Sequence, residues 1–263
     1  MFCVRGRSFG LFLSRPVVAG AVILGVLACD GGHRPGMAQE AAGQRTEFSA
    51  GATVSRQYWS TYSGATFAPF GALTEDGLRL RATGGYGAFH YAALRPSGGG
   101  GQLVKFNGTV SFGDLLVGYH QQLGALTLKL YAGAMASRHV IDPFDPEARV
   151  QGSGFGGKTV LETWWTLGEH AWASLDVSYG TLHDTYGGRL RLGWRLTQPL
   201  STGIEVAADG NTDGDSGRVG AFVRYEWEQG EISASTGLMT DWAGIERVDA
   251  RGAYATVSWM NRF

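Results

Sequence analysis

From Glu47 onward apolar and polar residues alternate with a period of two, the period of β-strands whose two faces meet different surroundings. Across 189–196, Leu190, Leu192, Trp194 and Leu196 share one face, opposite Arg189, Arg191, Gly193 and Arg195. The stretches 78–81 and 127–132 repeat the arrangement. In 219–227, Val219, Ala221, Val223, Tyr225 and Trp227 lie opposite Arg224 and Glu226. The pattern predicts twelve strands: 47–57, 60–71, 76–91, 104–121, 124–138, 151–166, 170–181, 184–197, 200–209, 217–228, 230–241 and 250–263. In 104–121 the apolar phase switches near Gly113, from Val110 and Phe112 to Leu115, Val117 and Tyr119, and a β-bulge is the simplest account.

A soluble sandwich alternates too, with its apolar face as the core. Two features favour a single antiparallel transmembrane β-barrel. Leu, Val and Ala on one face oppose charged or very small residues on the other, as expected of a barrel that is apolar outside and polar inside. Aromatics also gather near strand ends (Tyr58, Trp59, Trp164, Trp165, Tyr225, Trp227, Trp259), where interfacial girdles sit. The predicted connections after strands 3, 5, 9 and 11 are long (92–103, 139–150, 210–216 and 242–249). Those after strands 2, 4, 6, 8 and 10 are short, such as Leu123-Gly124 and Gln229-Gly230. Outer-membrane barrels carry short turns on the periplasmic side and long loops outside, so both termini are expected in the periplasm. The last strand places Val257, Trp259 and Phe263 on one face, and its end resembles the signal read by barrel-assembly machinery. Asn261 departs from that signal, because an apolar residue is usual there.

Composition agrees. Charged residues make up 17% of the chain and glycines number 42, about twice the usual share. Glycine in strands is costly unless a bend or a close backbone approach requires it, as barrels do. The net charge of −1 gives no reason to expect nucleic acid as a partner. No apolar run reaches the ~20 residues of a transmembrane helix, so membrane insertion is expected through strands.

Before Glu47 the order is that of a secretory signal: Arg5, Arg7 and Arg15, an apolar run from Val17 to Ala28, then small residues. Cleavage after Ala38 is the first choice, giving a signal peptide at 1–38, a linker at 39–46 and the barrel at 47–263. The alternative is Val26-Leu27-Ala28-Cys29, which resembles a lipobox and would lipidate Cys29. Cys3 and Cys29 are the only cysteines, so removal of the signal leaves no thiol and no disulfide.

The candidate chemistry is carried by inward charges: Arg79, Arg81, Lys129, Lys158, Glu162, Asp176, Arg189, Arg191, Arg195, Glu205 and Arg224. They could line a polar path or a sugar-binding lumen. They could equally pair across strands, with Asp176 and Glu205 neutralising the arginines of the strand between them. The run 209–215 imitates the opening of an EF-hand calcium loop, but Gly220 stands where a bidentate Glu belongs. It reads better as a Gly/Asp-rich turn, and no metal or other cofactor is implied. Ser137, His139, Asp142 and Asp145 could form a hydrolase triad, yet Asp-Pro-Phe-Asp-Pro is a turn sequence and no elbow or oxyanion motif accompanies it. The glycine-rich run ending at Lys158 lacks the helix of a phosphate loop, and 98–101 reads as a flexible loop.

The landmarks Phe48-Ser-Ala-Gly51, Asp76-Gly-Leu-Arg-Leu-Arg81, Gly84-Gly-Tyr-Gly87 with Tyr91, Leu116-Val-Gly-Tyr119 and Leu130-Tyr-Ala-Gly133 follow one another in order. Then come His139 with Asp142-Pro143, Gly152, Gly157-Lys158, Tyr186 with Arg189-Leu-Arg-Leu-Gly193, Glu205, Gly210-Asn211, and Arg218 with Gly220-Ala-Phe222. From about Glu47 to Phe222 the chain resembles the cellulose biosynthesis protein BcsS family. The extension before Glu47 and the glycine-rich 97–101 loop are its departures. The resemblance implies a part in bacterial cellulose production at the outer membrane, without supplying a reaction or catalytic residues. The expected function is therefore a non-enzymatic accessory of cellulose synthesis or export. Its expected partners are the glucan, other synthesis components and outer-membrane lipids. Tyr86, Phe89, His90 and Tyr91, before the 92–103 loop, are the candidate glycan contacts. The alternatives are a narrow pore or structural barrel and, third, a lipid-modifying hydrolase.

Overall fold

The computed structural model describes residues 43–97, 100–241 and 251–263. The segment expected to be a signal peptide, Cys29, the first half of the glycine run at 98–99 and the connection 242–250 lie outside the described residues. The strands are β1 (Thr46–Ser55), β2 (Tyr58–Phe67), β3 (Gly77–Ser97), β4 (Gly100–Leu123), β5 (Leu126–Asp142) and β6 (Gly152–Leu167). The remainder are β7 (Ala171–Gly180), β8 (Thr185–Arg195), β9 (Leu200–Asn211), β10 (Gly214–Trp227), β11 (Gly230–Asp241) and β12 (Arg251–Arg262). Each pairs antiparallel with its neighbours in sequence, and β1 pairs with β12 from Glu47↔Arg262 to Ser55↔Tyr254. Closure leaves no strand edge within the ring, the condition for a sheet to cross lipid. The seam is fastened at its end, where the Phe263 carbonyl accepts the backbone N–H groups of Arg45 and Thr46 at 2.8 and 3.1 Å.

Both termini of the ring lie at one end, here called the near end; the β5–β6 connection marks the far end. Apolar side chains cover the outer face, and Trp165, Trp194, Tyr225 and Phe263 stand exposed toward the near end while Trp59, Tyr86 and Phe155 do so toward the far end. This is the exterior of a transmembrane barrel of the outer-membrane type. Of the aromatics assigned to girdles from sequence, Tyr58 and Trp164 turn inward and line interior cavities instead.

Much of the excess glycine has a packing reason. Gly193 pairs with Trp172, Gly118 with Tyr131, Gly108 with Phe89, Gly85 with Phe112 and Gly51 with Tyr62, all on the inner face. In each case an added Cβ would fall within 2.5 Å of the partner ring. The ring occupies the place of the missing side chain, so a narrow lumen holds large aromatics without overfilling.

Four sequence expectations need correction. There is no bulge at Gly113: the register runs unbroken through Gly84↔Gly113 and Gly113↔Ala136. Val110 and Phe112 face inward while Leu115, Val117 and Tyr119 face outward. The switch marks an inner face of β4 that carries Phe106, Val110 and Phe112 toward the far end and Asp114 and His120 toward the near end, not a slipped strand. The loop placed at 92–103 is continuous hairpin up to Ser97↔Gly100. The loop placed at 210–216 shrinks to Thr212-Asp213 between the paired Asn211 and Gly214. Conversely the β2–β3 connection, expected to be short, covers 68–76 at the near end. Loop length therefore does not separate the two ends; the tall wall of β3, β4, β5 and β6 does.

Candidate functional site

The interior is built from the inward positions of the alternating strands, and most of its charges neutralise one another at close range. Arg189 meets Asp176 at 2.8 Å, and Arg191 Nε meets Glu205 at 2.9 Å, each with its registered cross-strand partner. Arg81 is bonded to Glu162, with Lys129 at 4.0 Å from the same carboxylate. Lys158 pairs with Asp114, and Arg224 with Glu226 and Glu231. Aromatic rings cover the cations: Arg81 lies 4.2 Å from the Tyr131 ring and Arg224 lies 4.5 Å from Trp164. Arg195 differs, donating to the Glu169 carbonyl at 3.3 Å.

Two cavities lie along the axis. The near-end one, of about 450 Å³, is lined by eight of the eleven sequence-predicted charges: Arg79, Lys129, Glu162, Asp176, Arg189, Arg191, Arg195 and Arg224. Arg81, Lys158 and Glu205 line neither cavity. The far-end cavity, of about 350 Å³, is lined by Tyr58, Phe89, Tyr91, His139, Asp209 and Asn211 among others. Between them Leu116, Phe222 and Tyr254 are buried, and the Tyr254 hydroxyl donates to Glu205 at 2.8 Å.

Arg79 does a different job from the other cations. It is almost wholly buried and donates to the carbonyls of Ala72, Leu73, Glu75 and Leu78, holding the 68–76 connection against the near end. His120 bonds the Leu73 carbonyl at 2.9 Å.

At the far end residues 143–151 form a cap. Asp145 is fully buried; it accepts from Arg95 Nε at 2.8 Å and from the Tyr91 hydroxyl at 2.6 Å. Burial by itself raises the Asp145 carboxyl, but the hydrogen bonds from Arg95 and Tyr91 outweigh it and hold the group below its ordinary range. Asp213, on the β9–β10 turn, accepts the backbone N–H of Arg149 at 3.0 Å and of Val150 at 2.8 Å. Ala148 and Val150 are buried beneath.

The two motif imitations dissolve here. Asp145 is committed to Arg95 and Tyr91, and the His139 ring stands edge-on to His183 at 5.8 Å, so the proposed triad is not assembled. The EF-hand-like carboxylates diverge: Asp209 takes Arg218, Asp213 the cap, and Asp215 the Tyr186 hydroxyl. Of the four candidate glycan contacts, Phe89 and Tyr91 face inward. Tyr86 packs on Trp59 on the outer face, and His90 alternates onto that face too, where Trp59 and His90 reach the rim of the far-end cavity.

The family model of cellulose biosynthesis protein BcsS matches residues 48–263. The chain belongs to that family. The match continues beyond Phe222, where the landmarks in the sequence stopped, through β11 and β12, and it ties this BcsS-family barrel to cellulose biosynthesis. No curated protein matches the chain. Among solved structures it is similar to the KdgM porin (9% identity, TM-score 0.44, covering 82% of this chain and 99% of that one). It is also similar to the COG4313 outer membrane channel from Pseudomonas putida F1 (12%, 0.47, 88% and 100%). A third is the translocator domain of autotransporter NalP from Neisseria meningitidis (12%, 0.47, 85% and 90%).

Sequence reading missed several residues of this BcsS-family interior. Asp114 was hidden because the supposed bulge at Gly113 left its face undefined. Arg95 fell in a supposed loop, and its pairing with Asp145 spans fifty residues with no local signal. Asn261, the odd residue of the terminal signal, accepts the Trp227 indole N–H at 2.9 Å, so its polar atom is satisfied beneath that ring.

Proposed function

We propose that this BcsS-family barrel is a non-enzymatic outer-membrane accessory of cellulose production that holds the emerging glucan at its far mouth. In this reading both termini face the periplasm and the capped end faces outward. The family match over the whole ring carries the proposal. The interior favours holding over threading: buried side chains and the Arg191–Glu205–Tyr254 network lie between the two cavities, where a transported chain would have to pass. Support for a role without chemistry comes from Asp145, whose carboxylate is spent on the cap. A strain lacking the gene, assayed for cellulose amount and for its attachment to the cell surface, tests the reading. Attachment is expected to fall, with total synthesis less affected. Unchanged deposition and attachment would leave a structural barrel with no polysaccharide role.

A further inference from the structure

The geometry points to the far-end cavity as a binding site for the end of an uncharged saccharide chain, roofed by the 143–151 cap. This rests on the reading of the barrel as a cellulose accessory and gives that reading a place in the molecule.

Size comes first. About 350 Å³ lies at the lower end of the range of small-molecule sites, room for one or two sugar rings and not for a bundle of chains. Charge comes next. Among the described residues the near-end cavity is lined by seven Lys and Arg against five Asp and Glu, whereas the far-end lining holds Asp209, Asp213 and Asp215 and no Lys or Arg. Arg218 balances Asp209 from just outside the lining, so an anionic polymer would meet a net surplus of carboxylate at this mouth and no cation in the lining itself. Each carboxylate already holds a partner (Arg218, the cap backbone or the Tyr186 hydroxyl), and sugar hydroxyls suit the lone pairs that remain, because carboxylates only accept hydrogen bonds and hydroxyls donate them.

The wall also supplies an apolar platform. Phe89 takes the place of a Cβ at Gly108 and lies beside Tyr91 with the two rings nearly parallel, their centroids 6.3 Å apart. Sugar C–H faces pack on such rings. Finally, His139 lines the same cavity, and its buried Nδ1 has no hydrogen-bond partner among the described residues. A buried polar atom left open is costly, and a ligand hydroxyl would satisfy it. The roof is fastened on both sides, at Asp145 and at Asp213, so a ligand seated below Ala148 and Val150 is shielded from water.

The test is calorimetric titration of the full chain in detergent micelles with three tetramers: cellotetraose, a uronic-acid tetramer and a glucosamine tetramer. Cellotetraose is expected to bind and the uronic-acid tetramer not to. Phe89→Leu is expected to weaken cellotetraose by about ten-fold, the equivalent of one lost ring contact. Arg195→Gln, in the other cavity, is expected to leave binding unchanged. Gel migration before and after boiling checks that each variant forms the barrel, and His139→Ala replaces Phe89→Leu if that variant does not. Preferential binding of either charged tetramer would overturn the proposal, as would loss of binding in Arg195→Gln alone. Failure of all three tetramers to bind would also overturn it. If the gene deletion still loosens cellulose in that last case, the accessory role stands and only this site is wrong.

Discussion

At Gly193 an added Cβ would lie 2.2 Å from Cε2 of Trp172, and that ring has little room to move. It stacks on Trp164 at 4.1 Å and meets Phe222 at 5.4 Å. Gly193→Ala should therefore overpack the interior and cost about 1–3 kcal/mol. Gly188→Ala, where the nearest atoms are backbone oxygens at 3.9 and 4.0 Å, should fall within about 0.5 kcal/mol of the parent. Urea unfolding in lipid vesicles, followed by tryptophan fluorescence, measures both. Equal stability of the two variants would mean that ring and glycine are not coupled. The surplus of glycine was legible in the sequence, and so was its link to barrels. Which ring fills which glycine was not, because that depends on register, and register is set by pairing between strands. The inward arginines were legible for the opposite reason: strict alternation assigns a face from a few consecutive residues, and Arg189 with Asp176 needed only the next strand over.

Elements joined over longer distances were harder to read. The cap shows why. Its Pro and Asp residues announce a turn, but nothing local says that Asp145 reaches Arg95 or that Asp213 reaches the Val150 backbone. The same residues then imitated a triad and a calcium loop. Their actual work gives the cap a pH dependence. The Asp145 carboxyl sits below its ordinary value of 3.8 in the folded cap, burial opposing and the Arg95 and Tyr91 hydrogen bonds prevailing. A depressed folded value means that the stabilisation is complete above the ordinary aspartate range and is lost as pH falls through the folded value. The cap should stay fastened at neutral pH and loosen only in strong acid. Ala148→Cys, in a chain with Cys3 and Cys29 changed to serine, reports this through its reaction with a dipyridyl disulfide, which still exchanges with thiols in acid, where maleimide does not react. Relative to an unfolded control at the same pH, labelling should be slow at neutral pH, fast in strong acid, and fast throughout when Asp145→Asn is added. Rapid neutral labelling without Asp145→Asn would show that the cap is not closed in solution.

For the whole molecule, twelve strands close a ring whose lumen is partly filled, and that sets how it should conduct ions. Barrels of 16–18 strands leave an aqueous channel. Here the paired charges and the rings of Tyr131, Trp172 and Phe222 occupy the interior, and the cap and the 68–76 connection close in from the two ends. The purified chain in planar bilayers should show conductance well below that of a general porin, with weak ion selectivity because the lumenal charges balance at close range. The barrier is assigned to side chains, not to strand number alone, so it should be removable. Phe222→Ala with Tyr254→Ala deletes two buried rings between the cavities and frees Glu205 from its tyrosine. That double variant should raise conductance while selectivity stays weak, because Glu205 remains paired with Arg191. Gel migration before and after boiling confirms that the ring has formed. A large, stable conductance in the unmodified chain would instead mean that the two cavities join in the membrane, and threading of a glucan would then replace holding as the better account.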